Sequence, residues 1–267
     1  MSDFNIESLL DFSPAKYWCA NCYALFSEKT LKSIKTEAER RKDWIYICPC
    51  CSIKYIHSSA SEYLLDHYFT EYLDHTVKRP FPYDNEDLHN TINHIQRLAL
   101  IAKQIKSHKT NYSPLRGLFE ALLQAKSFMH FTSYGISQFM IGALKVASQN
   151  VDIRGIVAGN SGENMICETT DYKNDAPRLT IQWLNTGEYR SQDVPHQKLV
   201  VIDGLLAFKG STNLTQTGWR SAQKNMDILE VVTNVNEVIN FHNRYFSSVW
   251  AKSSDQEEMD LDDMIPF

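Results

Sequence analysis

No run of 18 uninterrupted apolar residues occurs in the 267-residue chain, so the sequence offers no helix suited to crossing a bilayer. The first residues, MSDFNIESLLDFSP, have no basic start followed by an apolar run, and no secretory leader is read there. These two absences set the expectation of a cytoplasmic protein with no membrane partner. Excess positive charge is missing as well. The formal net charge is −5. From Ala251 onward one cation, Lys252, faces Asp255, Glu257, Glu258, Asp260, Asp262 and Asp263, so the tail carries −5 and residues 1–250 balance to zero. Bulk charge therefore gives no positive support for a nucleic-acid partner, although a basic stripe can coexist with acidic surface elsewhere. There is no internal repeat.

What is present is an ordinary globular composition, 43% hydrophobic and 22% charged, in a chain long enough for one large domain or two modest ones. Five of the six cysteines fall within the first 51 residues, in two clusters. In a cytosolic chain this pattern reads as metal before disulfide. Cys19-x-x-Cys22 and Cys48-x-x-Cys51 supply four thiolates in two pairs, the donor set for a closed tetrahedral and hence structural zinc site. Cys50 competes with Cys51 as a ligand, and His57 is a further alternative. Metal binding would supply folding energy to a segment too small to build much core. The segment resembles a zinc ribbon. Its aromatic residues Trp18, Tyr23, Phe26, Trp44 and Tyr46 alternate with basic ones, which suits either a nucleic-acid surface or a small core with a solvated charged face.

Four parts follow one another: a zinc-ribbon-like module (1–57), a helical connector (58–110), an α/β domain (111–251) and an acidic disordered tail (252–267). In the connector, Leu64, Leu65, Tyr68, Phe69, Tyr72 and Leu73 mark one helical face. A second helix is expected from near Asp84, with Leu88, Ile92, Ile95, Ala99, Ala102 and Ile105 on one stripe. The third part reads as helix 114–125, strand 128–133, helix 137–149, strand 151–158, a long polar connection 159–178, strands 179–184, 196–202, 205–209 and 227–233, and helix 235–250. Strands separated by helical segments indicate a sheet flanked by helices.

The chemistry concentrates in PHQKLVVIDGLLAFKGSTN. His196 and Lys198 stand two apart on a strand and so share a face. Asp203-Gly204 is a hairpin signal, and the returning strand carries the chain to Gly210, Ser211 and Asn213. An imidazole, an ammonium, a hydroxyl and a carboxamide are thereby brought together. This set suits phosphoryl transfer with a nucleophile and donors for the non-bridging oxygens.

These residues, in this order and spacing, resemble the signature of the phospholipase D superfamily. The resemblance extends over about residues 111–251. It implies that His196 attacks phosphorus and forms a phosphohistidine, that Lys198 and Asn213 hold the phosphate oxygens, that Ser211 supports them, and that Asp203 is structural. It also implies a carboxylate partner for the histidine. Asp227 stands where compact bacterial endonucleases of the family carry Glu, and Glu230 is the alternative. The signature occurs once, whereas the family's site needs two, so a twofold homodimer is expected.

The chain ends MDLDDMIPF. Asp260, Asp262, Asp263, Ile265, Pro266 and Phe267 resemble the tail of bacterial single-stranded-DNA-binding protein, which implies recruitment by repair or replication proteins that bind such tails. The resulting expectation is a metal-independent nuclease on DNA or RNA, DNA being preferred as partner, with zinc only structural. The alternatives are a phospholipid phosphodiesterase and a nonenzymatic DNA-binding adaptor.

Overall fold

The computed structural model describes residues 17–19, 22–26, 35–37, 43–52, 54–58, 88–106, 112–158, 176, 178–184, 198–224 and 226–250. The helix expected over 64–73, the start of the next helix at Asp84, His196, most of the 159–178 connection and the acidic tail with Asp260, Asp262, Asp263, Ile265, Pro266 and Phe267 lie outside the described residues.

At the centre is a mixed six-stranded sheet built from β6 (Phe128–Ser133), β7 (Asp152–Ala158), β8 (Leu179–Leu184), β9 (Lys198–Ile202), β10 (Leu206–Gly210) and β11 (Leu229–Val232), in the order β11-β10-β9-β6-β7-β8. β6, β7 and β8 run parallel, while β9, β10 and β11 are joined antiparallel to the β6 side. β6 and β9 are buried along their whole length; the apolar run Leu199–Ile202 of β9 follows from cover on both faces, whereas β6 also buries His130, Thr132 and Ser133. Helix α3 (Gln138–Ala147) connects β6 to β7, giving the βαβ unit that parallel strands require. Before the sheet come α1 (Leu88–Lys106) and α2 (Pro114–Gln124), and after β10 come α4 (Gln216–Gln223) and α5 (Val235–His242).

Local chemistry sets several of these boundaries. Ser113 caps α2 by accepting from the Arg116 amide, with Pro114 in the first turn, where its missing N–H costs nothing. Ser137, Thr215 and Asn234 cap α3, α4 and α5 in the same way. α1 buries Leu98, Ile101, Ala102 and Ile105 and packs against α2, β10 and β11. Of the expected stripe, Ala102 and Ile105 are buried and Ala99 is half-buried, while the burial of Leu88, Ile92 and Ile95 lies outside what the structure describes; Leu98 and Ile101 were not expected.

Two expectations need correction. α4 is not expected from the sequence, because only Trp219 and Ala222 of its eight residues are buried and Gly218 interrupts the pattern. The helix expected as one piece over 235–250 instead changes pitch after His242, where Asn243–Ser247 forms a π-helical turn. That widening accompanies an Asn243 side chain fully used in tertiary hydrogen bonds, described below.

The N-terminal module consists of β1 (Tyr17–Trp18) paired with β2 (Leu25–Phe26), and a three-stranded antiparallel sheet of β3 (Lys35–Glu37), β4 (Asp43–Ile47) and β5 (Lys54–Ser58). It packs against the larger sheet through specific contacts. The Asn243 carboxamide accepts from the Leu25 amide at 2.7 Å and donates to the Leu25 carbonyl at 2.8 Å. The Tyr23 ring stands edge-on to His130 and Trp250, with the Arg154 guanidinium 4.2 Å from its centroid. Tyr23 takes a positive φ of 58°, which turns the chain back after Cys22.

Candidate active site and metal centre

The β9–β10 hairpin turns at Asp203-Gly204. Both residues have positive φ, 52° and 66°, and the Leu205 amide donates to the Ile202 carbonyl at 3.0 Å. This is a type I′ turn, matched to the twist of the strands it joins. The Asp203 carboxylate is buried. It accepts from the amides of Lys126, Ser127 and Phe128 at 2.8, 2.9 and 2.9 Å and contacts His94 Nε2 at 2.8 Å. The signature aspartate therefore ties the hairpin to the start of β6 and to α1, at the end of the sheet away from the other motif residues.

At the opposite end of the hairpin, Lys198 lies across from Gly210 in register. Gly210 has a steric reason to be glycine: a Cβ there would run into the carbonyl oxygen of Ile228. This close approach lets the Ser211 amide donate to the Ile228 carbonyl at 3.0 Å, while Ser211 Oγ accepts from the Ile228 amide at 3.0 Å and donates to Asp227 Oδ1 at 3.2 Å. Asn213 Oδ1 accepts from the Tyr134 amide at 3.2 Å. With its oxygen so engaged, the carboxamide is oriented with Nδ2 as the group left to donate elsewhere. Lys198 is 6% exposed. Burial holds its ammonium below the usual lysine range, opposed by attraction to the Asp227 carboxylate.

The described structure thus brings together Lys198, Ser211, Asn213 and Asp227. Asp227 precedes β11 rather than lying within it, since that strand starts at Leu229. The alternative carboxylate, Glu230, is engaged elsewhere in a 2.9 Å ion pair with Lys209 on β10. A cavity of about 630 Å³ between α1, α2, α4 and β11 is lined by Asp227 but by neither Lys198 nor Asn213.

Three participants escaped the sequence reading. Tyr134 and Ser133 sit at the C-terminal end of β6, and position at a strand end next to a glycine was the available signal. Ser133 Oγ accepts from the Leu214 amide at 2.8 Å and donates to the Gly135 carbonyl at 2.6 Å, fastening the 133–135 loop to the segment that carries Asn213. His94 lies on the apolar face of α1 and announces itself only through its distant partner Asp203.

In the N-terminal module the ligand sulfurs of Cys19, Cys22, Cys48 and Cys51 all lie within 4.8 Å of one another, with Cys19–Cys51 and Cys22–Cys48 at 3.6 Å. A tetrahedral zinc–thiolate site has sulfur–sulfur edges of about 3.8 Å, so this cluster fits a structural metal ion. Cys50 is not part of it: its sulfur points to the Asn243 carbonyl at 3.9 Å. Hydrogen bonding with Cys19 and the neighbouring thiols, with burial adding, pushes the Cys22 thiol far up. Packed thiols of this kind ionise together only when a cation compensates them.

Residues 118–250 match the family model described as "Cardiolipin synthase, PLD-like domain". No curated protein matches the chain. Among solved structures, NucT from Helicobacter pylori is similar at 20% identity and TM-score 0.39, covering 49% of this chain and 84% of that one. A phospholipase D family member, Nuc from Salmonella typhimurium, is similar at 20% identity and TM-score 0.40, covering 50% and 84%. TrmBL2, an archaeal chromatin protein described as having a novel mode of DNA binding, is similar at 11% identity and TM-score 0.36, covering 78% and 75%. Among the described residues, no helix is long and apolar enough to cross a membrane.

Proposed function

This chain belongs to the phospholipase D superfamily through residues 118–250, and on that premise we propose that it is a phosphodiesterase that cleaves nucleic acid through a phosphohistidine. The observation that supports this reading best is the convergence of Lys198 and the Asn213 carboxamide, with Ser211 and Asp227, at one end of the β9–β10 hairpin. His196, two residues before Lys198, supplies the nucleophile. Its ring nitrogen attacks phosphorus, an N–P bond forms and the P–O bond to the leaving oxygen breaks. The Lys198 ammonium and Asn213 Nδ2 hold the non-bridging oxygens as negative charge concentrates on them. The same histidine of a second copy protonates the leaving oxygen, then removes a proton from the water that hydrolyses the N–P bond. One signature per chain makes that second copy necessary, so the working form is a twofold homodimer. No catalytic metal is needed, because the lysine and carboxamide supply the charge and the donors. Zinc at Cys19, Cys22, Cys48 and Cys51 acts only in folding. The tail ending Asp262-Asp263-Met264-Ile265-Pro266-Phe267 recruits DNA repair or replication proteins, and the four-part division at 57, 110 and 251 separates these roles.

End-labelled DNA and RNA, incubated with metal-loaded protein in magnesium-free buffer containing chelator, test the reading. Wild-type protein cuts, and His196→Ala loses about a thousandfold or more in rate. Equal cutting by the variant contradicts the mechanism. The description of the matched family, which names cardiolipin synthase, favours phospholipid as a second reading. Release of headgroup from anionic vesicles, with no cutting of nucleic acid, would establish it instead.

A further inference from the structure

Tyr134 is 49% exposed at the end of β6, directly after the buried strand residues Phe128–Ser133. Its position is fixed from several sides. The Tyr134 amide donates to Asn213 Oδ1 at 3.2 Å, Ser133 Oγ accepts from the Leu214 amide at 2.8 Å, and the Ser137 amide donates to the Leu214 carbonyl at 3.2 Å. A parallel bridge joins Ile136 to Leu214. The phenol ring is therefore carried on backbone that is clamped to the same segment as Asn213. The Lys198 ammonium lies 5.7 Å from the ring centroid. The half-exposed ring thus lies near the Lys198 ammonium, on backbone bonded to the Asn213 carboxamide.

An exposed ring costs the molecule buried apolar area, yet here the backbone that carries it is pinned beside Asn213. Exposed aromatic surface near a cation and an amide donor is a combination that receives a nucleotide: donors for the phosphate, a π-face for the base. A base inside a duplex is already stacked on both sides and cannot use such a face, whereas an unpaired base can. A quaternary ammonium headgroup, the other common guest of an aromatic face, would sit beside the like charge of Lys198.

We infer that Tyr134 stacks an unpaired nucleobase adjacent to the scissile phosphate, which makes a single-stranded nucleic acid the substrate. The inference rests on the phosphodiesterase reading for its substrate class, and Tyr134 is a specificity-determining residue under it.

The test is equilibrium binding of a fluorescent thymidine oligonucleotide to full-length His196→Ala protein, alone and combined with Tyr134→Ala or Tyr134→Phe. Loss of the ring weakens binding about tenfold, and Phe restores it to within about twofold, because stacking needs the ring and not the hydroxyl. An oligonucleotide of abasic sites binds weakly and equally to all three proteins, and a duplex is likewise insensitive to the substitution. Base-independent loss would reduce Tyr134 to a prop for Lys198 and overturn the inference. So would unchanged binding in Tyr134→Ala, no measurable binding of single strands, or ring-dependent binding of anionic vesicles instead. Hydrolysis of a small synthetic aryl phosphodiester by wild-type protein separates the two levels. Hydrolysis that depends on His196 without base stacking refutes the stacking alone. Base stacking without hydrolysis refutes the catalytic reading alone.

Discussion

Asp227 and Asp203 show how differently two carboxylates can serve one motif. Asp227 faces Ser211 and raises the proton affinity of Lys198 against the effect of burial. Asp227→Asn removes that support, so Lys198 loses its proton at lower pH and the alkaline limb of the pH–rate profile moves to lower pH. A profile superimposable on that of wild type would mean that Lys198 does not act as a cation in turnover. Asp203 belongs to the fold. Removing its carboxylate in Asp203→Ala strands the buried amides of Ser127 and Phe128 and leaves His94 without this contact, at a cost of about 3 kcal/mol or more in denaturant unfolding. Its type I′ turn was legible in the Asp-Gly pair, and its structural role came with the resemblance. Its partners were not legible, because amides at residues 126–128 carry no side-chain signal and His94 is 109 positions away in the chain.

At the scale of elements, the strands of the sheet could be read because each is a short apolar run bounded by turn residues. β8 falls where its pattern puts it, and β6 likewise. The π-helical turn after α5 was hidden, since it arises from tertiary hydrogen bonding between Asn243 and Leu25 across 218 positions of sequence. That contact has a measurable consequence. Cys19 and Cys22 of the four-cysteine cluster lie on the segment that joins β1 to β2, and Tyr23 of this segment, with Leu25 at the start of β2, docks on Arg154, His130, Trp250 and Asn243. Stripping the metal, or replacing a ligand in Cys22→Ser, therefore lowers the thermal midpoint of the α/β domain itself, by on the order of 5 °C or more. Calorimetry that shows the large transition unmoved by metal removal would make the module an independent appendage.

For the molecule as a whole, stability should depend on pH through a histidine pair buried under the docked module. His130 Nδ1 lies 2.8 Å from His242 Nε2, and both side chains are fully covered. Burial lowers the His130 pKa to about 4, although Asp152 pulls the other way, and it drives His242 lower than its ordinary value as well. Folded-state values below the unfolded 6.5 mean that the unfolded chain binds more protons between pH 6.5 and 4. The stability contributed by the neutral pair is full above pH 6.5 and declines as the pH falls toward 4. Thermal midpoints taken from pH 7 to 5 should fall, and His130→Gln should flatten that slope even if it lowers the starting value. An identical slope in the variant would assign the acid sensitivity elsewhere, including to thiolate protonation at the metal cluster.

The central step of the proposed reaction is the covalent bond from His196 to phosphorus. Wild-type protein turning over a nucleic-acid substrate is quenched in alkali, which preserves a phosphohistidine, and its peptides are analysed by mass spectrometry. The predicted result is a phosphoryl or nucleotidyl adduct on His196 that is lost on acid treatment and absent from His196→Ala. Steady cleavage with no adduct on any histidine, or undiminished cleavage by His196→Ala, would contradict it.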